Sequence, residues 1–525
     1  MGRRLLLQRC GFLRRRSSFK NPKIERRKAM ALRTPEQYLE SLRDGRVVYF
    51  EGEKVEDVTK HPILSITNRW VAMDYVLSND PKYQDFLTDV DEEGDRVSFV
   101  LQPQRSKEDL IRLREIVKFW ARVCLGKPTG AKFVAKDGLC ALTVVSKKVD
   151  KKYGTDYSRR VEAYRKYWQK NDLAVALAMT DVKGDRSLRP SRQVQHKDFY
   201  VRIVEKRKDG IVVSGAKTHI SQAPACNELL VLPCRAMTPE DKEYAVAFAI
   251  PVNTKGVTLI SAQPEVHEGF DPDDYPIAGS VYINDALVVF ENVFVPEERV
   301  FLKGEWEFAG DIAYMFANFH RLSAETYKAV ELELLTGAAI LMAEYNGVDR
   351  APHIRERITW LIMYAEMIEA LSRAAVEYCV RDEETGLVYP NPMIANICKY
   401  QFAVNWHQAT QYVQDIAGGI VATVPSFKDF KNPETRSIME KYFAAKAGIP
   451  TEHRLKMVKL IKDLTSTYED VLTIHAEGSL AAQRLSIYAL AEFDRYKAAA
   501  KRAARIEKLT GYSPFDDLPA FPPEL

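Results

Sequence analysis

No run of about 18 apolar residues occurs in the 525-residue chain, which argues against a membrane-spanning helix. The nucleotide signatures GxGxxG and GxxxxGKS/T are missing, so neither a Rossmann site nor a P-loop is signalled. The zinc signature HExxH is missing too. Cysteine is scarce: Cys10, Cys124, Cys140, Cys226, Cys234, Cys379 and Cys398 are scattered, without a CxxC pair. An odd number in so long a chain argues against a secreted disulfide scaffold and for a reducing cytoplasm. The net charge of +4 is small and gives no reason to invoke nucleic acid.

The charge is unevenly spread. Residues 1–29 hold eleven Lys or Arg and one acid, Glu25, which leaves the remainder net acidic. This segment reads either as an Arg-rich targeting leader or as the product of a start upstream of Met30. The fold is therefore read from Met30, followed by Thr34-Pro35-Glu36-Gln37, a helix opening with N-cap, N1 proline and acidic first turn.

Beyond the leader, three regions follow one another. Residues 30–178 read mainly as helices, with Leu39, Leu42 and the Lys107–Trp120 segment spaced three and four apart. From 179 to 300 the period turns to that of strands. Phe199–Glu205 and Ile211–Ser221 flank the turn Lys208-Asp209-Gly210, and Leu229–Leu232, Tyr244–Ile250, Val257–Ser261 and Ser280–Val295 follow. Residues 301–510 return to helix. Ala329–Ala343 is apolar nearly all round, as in a fully buried helix, and Ile354, Ile358, Leu361, Ala365, Ile368 and Leu371 form one face. Met393–Ala417 stops at Gly418-Gly419, and a fourth block covers about 452–506, so a bundle is expected. The tail 511–525 is rich in Pro and Asp and reads as surface chain. A crevice where sheet domain and bundle meet is a usual place for a large cofactor.

Taken singly, the chemical signals are weak. Met179–Arg186 offers the Thr180 hydroxyl, close backbone approach at Gly184, and the cations Lys183 and Arg186; these suit a flat ring or a pyrophosphate, and equally a charged surface turn. Asp415 to Gly419 offers two glycines for a ligand, or a simple helix cap. His219, trailed by Ser221, and His320, with Lys328 eight residues on, are catalytic candidates or structural histidines.

Together these segments resemble a known family. Tyr38–Arg46, Val55–Pro62, Ala178–Arg186, Arg202–Val213, Gly215–His219, Ala286–Pro296 and Asp415–Gly419 are similar to the 4-hydroxyphenylacetate 3-hydroxylase / 4-hydroxybutyryl-CoA dehydratase flavoproteins, over about residues 31–490. The middle segments look closer to the dehydratase branch. The resemblance implies an α+β, acyl-CoA-dehydrogenase-like fold: an N-terminal helical domain, a central β-barrel domain, a C-terminal helical bundle, and a homotetramer. It implies FAD or FADH2 contacted by Met179, Thr180, Lys183, Gly184, Asp185 and Arg186, by His219, Ile220 and Ser221, and by Gln414, Asp415, Gly418 and Gly419.

The departures are informative. The dehydratase branch holds a 4Fe-4S cluster on three cysteines and one histidine. Only the histidine, His320, has a match; Thr129, Phe133 and Tyr327 stand at the cysteine positions, and cannot supply thiolates. Cys124 and Cys140 lie near in sequence at the wrong spacing. A glutamate base of that branch corresponds to Leu472, Asp285 stands for a second glutamate, and Lys328 is kept. The phenol-binding Arg, Tyr and His of the hydroxylase branch correspond to Thr129, Phe133 and Leu177, which makes the expected substrate pocket, with Tyr327, more apolar. The first expectation is a two-component monooxygenase served by a separate flavin reductase. It would act on an aromatic or other apolar small molecule, with His219 or His320 as acid or base. The alternative is a cluster-free acyl-CoA dehydratase or isomerase using His320, Lys328 and Asp285. A homologue without catalysis is the third reading.

Overall fold

The computed structural model describes residues 32–127, 130–504 and 506. The basic leader, Thr129 and the tail 511–525 lie outside these residues. The chain opens as its first residues dictate. Thr34 caps helix Pro35–Ser41 through a capping box with Gln37, and Pro35 occupies the first turn. Helices Leu64–Asn79, Lys107–Val123, Gly130–Tyr153 and Tyr157–Asn171 follow.

The β region is two open sheets. A six-stranded sheet runs in the order Glu53–Val55, Val48–Phe50, Val257–Ser261, Asp285–Pro296, Gly210–Ser221, Arg202–Arg207. A four-stranded sheet runs Val300–Lys303, Val246–Pro251, Glu228–Val231, Val175–Ala178. Their inner faces share one core, in which Val213, Leu259, Val288 and Phe290 meet Ala176, Leu229, Phe248 and Val300. The outer face of the smaller sheet, with Leu177, Leu230 and Leu302, packs on helices Gly130–Tyr153 and Tyr157–Asn171. The expected closed barrel is thus corrected: among the described residues no sheet closes on itself, and the edges are formed by Arg202–Arg207 and Glu53–Val55.

Lys208 and Asp209 make the expected two-residue turn, with Arg207 opposite Gly210. Other strands escape the sequence pattern. Val48–Phe50 and Glu53–Val55 belong to the six-stranded sheet although they arise inside the helical N-terminal region. Val175–Ala178 pairs in parallel with Glu228–Val231 and is buried at every residue. A strand covered on both faces has no apolar–polar alternation to betray it.

The bundle is organised around helix Ala309–Asn346, which packs against Lys107–Val123, Gly130–Tyr153, Pro352–Glu377, Pro392–Ala417 and Thr451–Thr465. Its wholly buried stretch is Asn318–Leu332, earlier than the apolar run Ala329–Ala343, and Glu333 already reaches solvent. Six charged or titratable side chains, His320, Arg321, Glu325, Tyr327, Lys328 and Glu331, therefore lie inside. Helix Pro352–Glu377 buries Ile354, Leu361 and Ile368 as its apolar face dictates. Pro392–Ala417 ends at Gly418, at φ 81°. The expected fourth helical block is broken into Thr451–Thr465, Tyr468–His475, Leu480–Leu490 and Phe493–Ala503, with Gly478 at φ 95° between the second and third.

The C-terminal segment from Tyr468 to Gly478 is strapped to its neighbours by polar contacts. Trp406, fully buried, donates its indole N–H to Asp470 at 2.7 Å, and Thr473 donates to Glu331 at 2.8 Å. Replacing Trp406 with Phe would remove the donor facing Asp470 and is expected to lower stability by about 1–3 kcal/mol, measured by urea unfolding with the slope unchanged.

Candidate active site

Two groups of candidate side chains gather, one on the bundle helix Ala309–Asn346 and one at an end of the six-stranded sheet. On the helix, His320, Tyr327 and Lys328 are seven and eight residues apart, two turns along one face. The His320 Nδ1 lies 3.0 Å from Asp137 Oδ2, and the ring stacks on Phe316 at 5.0 Å. Asp137 is fully buried and also meets the Lys136 ammonium at 2.6 Å. Burial would raise its carboxyl, but Lys136 and His320 overcome that and hold it below the usual range. Among the described residues, the His320 Nε2 makes no hydrogen bond. Asp137 thus fixes the imidazole by one nitrogen and leaves the other available.

Eight residues along, Lys328 is fully buried, and its Nζ donates to Glu477 Oε2 at 2.7 Å and to the Tyr327 hydroxyl at 2.5 Å. The Tyr327 hydroxyl donates to Glu477 Oε1 at 2.6 Å. A second buried lysine, Lys399, reaches Glu477 Oε2 at 3.8 Å and donates to the Ile474 carbonyl at 2.9 Å. Burial would push the Glu477 carboxyl up; Lys328 and Lys399 outweigh it, with His320 adding to them, and the carboxyl is held down at about 2. Glu477 sits at φ 61°, a left-handed conformation unusual for a glutamate and maintained here by its buried partners.

Glu477 is a buried carboxylate in this cluster that the sequence reading did not single out. The glutamate position had been matched to Leu472, but the carboxylate that meets Lys328 lies five residues later. The signal was present as Glu477-Gly478 between helical runs, a turn that can carry an acid inward.

At the sheet end, Asp285 lies opposite Ser221 in register and accepts from the Tyr468 hydroxyl at 2.5 Å. Burial raises its carboxyl, against the hydrogen bonds of Ser221 and Tyr468 and the charge of His219. His219 is exposed at φ 59°, while the Ile220 side chain is fully buried in the β core, so only the Ile220 backbone can face a ligand. No hydrogen bond or ion pair among the described residues joins Asp285 or His219 to Lys328 or His320. The two groups are linked through the helix Tyr468–His475, whose first residue bonds Asp285 and whose Ile474 carbonyl meets Lys399, about 10 Å along its length.

The cofactor candidates divide likewise. Met179–Arg186 is tied to the sheet: Lys217 donates to the Met179 carbonyl at 2.9 Å, and the Thr180 carbonyl accepts from the Thr218 amide at 2.8 Å. Asp185 caps a local turn through Ser187, while Lys183 and Arg186 carry no acid partner. Gly184 has a different role from the expected one. A Cβ there would fall 2.2 Å from the Phe199 ring, so the glycine is demanded by Phe199. On the bundle, Gln414 donates to the Thr465 carbonyl at 2.8 Å, and Asp415 pairs with Arg357. Gly418 and Gly419 are exposed, with nothing within 4 Å of an added Cβ, so a ligand can approach their backbone closely. No hydrogen bond or ion pair among the described residues connects Met179–Arg186 with Gln414–Gly419.

Phe133 and Leu177 are buried near the dyad: Phe133 lies one turn before Asp137, and Leu177 lies against Gly138. Thr129 falls outside the described residues. The sulfur chemistry beside this region is that of inert thiols, since burial pushes Cys124 up to about 12 and Cys140 up to about 11.

This arrangement, an oriented buried histidine and a lysine–carboxylate pair on the central bundle helix, belongs to an enzyme of the flavoprotein class that the fold defines. The sequence models described as 4-hydroxyphenylacetate 3-hydroxylase N terminal and C terminal match residues 34–302 and 309–505. The 4-hydroxybutyryl-CoA dehydratase/vinylacetyl-CoA-Delta-isomerase of Clostridium aminobutyricum is 36% identical over 502 residues, 91% of this chain and 100% of its own. An oxygen-tolerant archaeal 4-hydroxybutyryl-CoA dehydratase from N. maritimus superposes with a TM-score of 0.84 at 31% identity, covering 92% of this chain and 97% of its own. The oxygenase component of 4-hydroxyphenylacetate 3-monooxygenase, complexed with FAD, superposes at 0.82 with 28% identity, covering 90% and 99%. The chain belongs to the 4-hydroxyphenylacetate 3-hydroxylase / 4-hydroxybutyryl-CoA dehydratase family, and its α+β architecture is the acyl-CoA-dehydrogenase-like one of these neighbours.

Glu477→Gln tests the site's electrostatics. It leaves the buried Lys328 ammonium facing an amide in place of a carboxylate and is expected to lower stability by about 3–5 kcal/mol near neutrality. The Glu477 carboxyl is depressed from 4.5 to about 2, so its contribution is present above 4.5 and is lost as pH falls toward 2. Acid unfolding curves of wild type and variant should therefore converge across that window.

Proposed function

We propose that the chain is an FAD-dependent oxidoreductase, a two-component monooxygenase that receives reduced flavin from a separate reductase and acts on an aromatic or other apolar small molecule. The observation that carries this reading is the buried His320–Asp137 dyad, whose Nε2 makes no hydrogen bond among the described residues, in a chain that matches the hydroxylase sequence models at both ends.

The residues fit the cofactor. The open backbone at Gly418 and Gly419 and the unpaired cations Lys183 and Arg186 suit a pyrophosphate, and the exposed ledge at His219–Ser221 suits the edge of a flat ring. Reduced FAD, when bound, supplies two electrons to O2, one oxygen atom entering the substrate and the other leaving as water. Phe133, Leu177 and Phe316 keep the reacting region dry. His320 removes a proton from a substrate hydroxyl through Nε2, and Asp137 stabilises the imidazolium that results. Lys328 then holds the oxyanion with its ammonium. A 4Fe-4S cluster does not fit the donors: Phe133 is apolar, the Tyr327 hydroxyl is committed to Glu477, and both nearby thiols are held protonated.

A second reading, a flavin-dependent acyl-CoA dehydratase or isomerase working without that cluster, is favoured by a specific observation. The Lys328–Glu477 pair places an acid–base couple beside His320, and the similarity to the clostridial dehydratase is high. There, Glu477 and His320 would shuttle a proton next to a thioester carbonyl.

A homotetramer in the cytoplasm completes the proposal. The large apolar side chains of Leu485 and Tyr488 are 72% and 70% exposed on the C-terminal helices, as expected of a surface covered by another copy. Among the described residues no helix is long and apolar enough to cross a membrane.

The test is oxygen uptake by the purified protein with FAD, a flavin reductase and a phenol. His320→Gln should lower turnover by about 100- to 10,000-fold while FAD binding, followed by its visible absorption, is unchanged. Anaerobic deuterium exchange into a crotonyl thioester, without oxygen uptake on phenols, would decide for the second reading.

A further inference from the structure

The bundle core holds one more ammonium group than the chemistry described above uses. Lys399, on helix Pro392–Ala417, is fully buried and shares the Glu477 Oε2 with Lys328, at 3.8 Å against 2.7 Å. Two enclosed cations thus compete for one carboxylate, whose other oxygen is taken by the Tyr327 hydroxyl. Glu331 and Arg321, both on helix Ala309–Asn346, also act on Lys399, and among the described residues its one hydrogen bond is to the Ile474 carbonyl. An isolated second ammonium in such a place is strongly disfavoured by desolvation. A neutral amine has no such difficulty, because it still donates an N–H to the carbonyl.

We propose that Lys399, as the second buried lysine on one shared carboxylate, is a positioning residue that can give up its proton in the folded protein and so sets how firmly Glu477 holds Lys328. With Lys399 neutral, Glu477 belongs to Lys328 and Tyr327. With Lys399 protonated, the carboxylate is shared, and Lys328 is freer to meet a substrate oxyanion. An anion arriving at Lys328 therefore brings a proton onto Lys399, and the enclosed charge stays constant. The inference deepens the acid–base role given above to Lys328 and rests on that reading for its consequence in turnover, while the titration itself needs neither flavin nor substrate. The balance of forces agrees: burial, then the like charge of Lys328, bring Lys399 down to about 7, against the pull of Glu477 and Glu331.

The sign of the effect is fixed. Between about 7 and the ordinary value of 10.5 the unfolded chain keeps a proton that the folded chain has released, so stability contributed by this site rises with pH. The experiment compares thermal unfolding of the full chain with Lys399→Met, which imitates the neutral amine in bulk, and Lys399→Arg, which keeps a permanent charge. From about pH 6 to about pH 9 the wild-type Tm should climb relative to Lys399→Met by about 1–3 °C per pH unit above neutrality. Lys399→Arg should stay below both at the alkaline end. In flavin-loaded protein the pH profile of kcat should lose its bend near neutrality in Lys399→Met. A constant Tm difference between wild type and Lys399→Met over this range would overturn the proposal, whether or not flavin binds. A protein that binds no flavin but shows the pH-dependent difference would overturn the proposed function and leave the Lys399 titration standing.

Discussion

One carboxylate, that of Glu477, makes the interior of the bundle possible. Helix Ala309–Asn346 buries fifteen consecutive residues from Asn318 to Leu332, and the charges among them need compensation that the helix does not supply by itself. Asp137 comes from helix Gly130–Tyr153 to meet His320, and Glu477 comes from the C-terminal segment to meet Lys328. Glu331 is met in the same way by Lys127, at 2.5 Å, and by Thr473. Buried ion pairs are poor sources of net stability compared with well-packed hydrocarbon. Their retention along one face of the central helix is the mark of a site, where a fixed field is worth more than a few kcal/mol of folding free energy.

One pair departs from this rule of compensation. Glu325 is buried with neither oxygen hydrogen-bonded among the described residues, and burial pushes its carboxyl well above the usual range. Arg321, one turn earlier on the helix, is the largest influence opposing that rise. The interior thus combines ions paired around Lys328, whose carboxylate comes from the turn at Glu477, with the unpartnered carboxyl of Glu325 three residues before Lys328 on the helix.

Much of the fold was legible in the sequence because its signals are local. The capping residues Thr34 to Gln37, the Lys208–Asp209 turn and the apolar face of Pro352–Glu377 each depend on neighbours a few residues away. Of the missed strands, Val48–Phe50 and Val175–Ala178 pair in parallel with partners distant in sequence, and Glu53–Val55 joins the sheet only through its neighbour Val48–Phe50. The barrel expected from resemblance became two sheets for the same reason: closure is a matter of distant edges, which no local pattern encodes. At the site, His320 and Lys328 could be proposed from one helix face. Asp137, Glu477 and Lys399 could not, since each acquires its meaning from partners 78 to 183 residues away. Gly184 carries the opposite lesson: its glycine was noticed, but the Phe199 ring explains it.

The strap from Tyr468 to Gly478 touches Asp285, Trp406, Glu331, Lys399 and Lys328 in order along its length. It lies in the last eighth of the chain. During synthesis, therefore, every earlier element emerges from the ribosome before the counter-charges for the bundle interior exist. Helix Ala309–Asn346 therefore leaves the ribosome well before the carboxylate that faces Lys328 and Lys399, and the ion pair can close only once the chain has been made as far as Glu477.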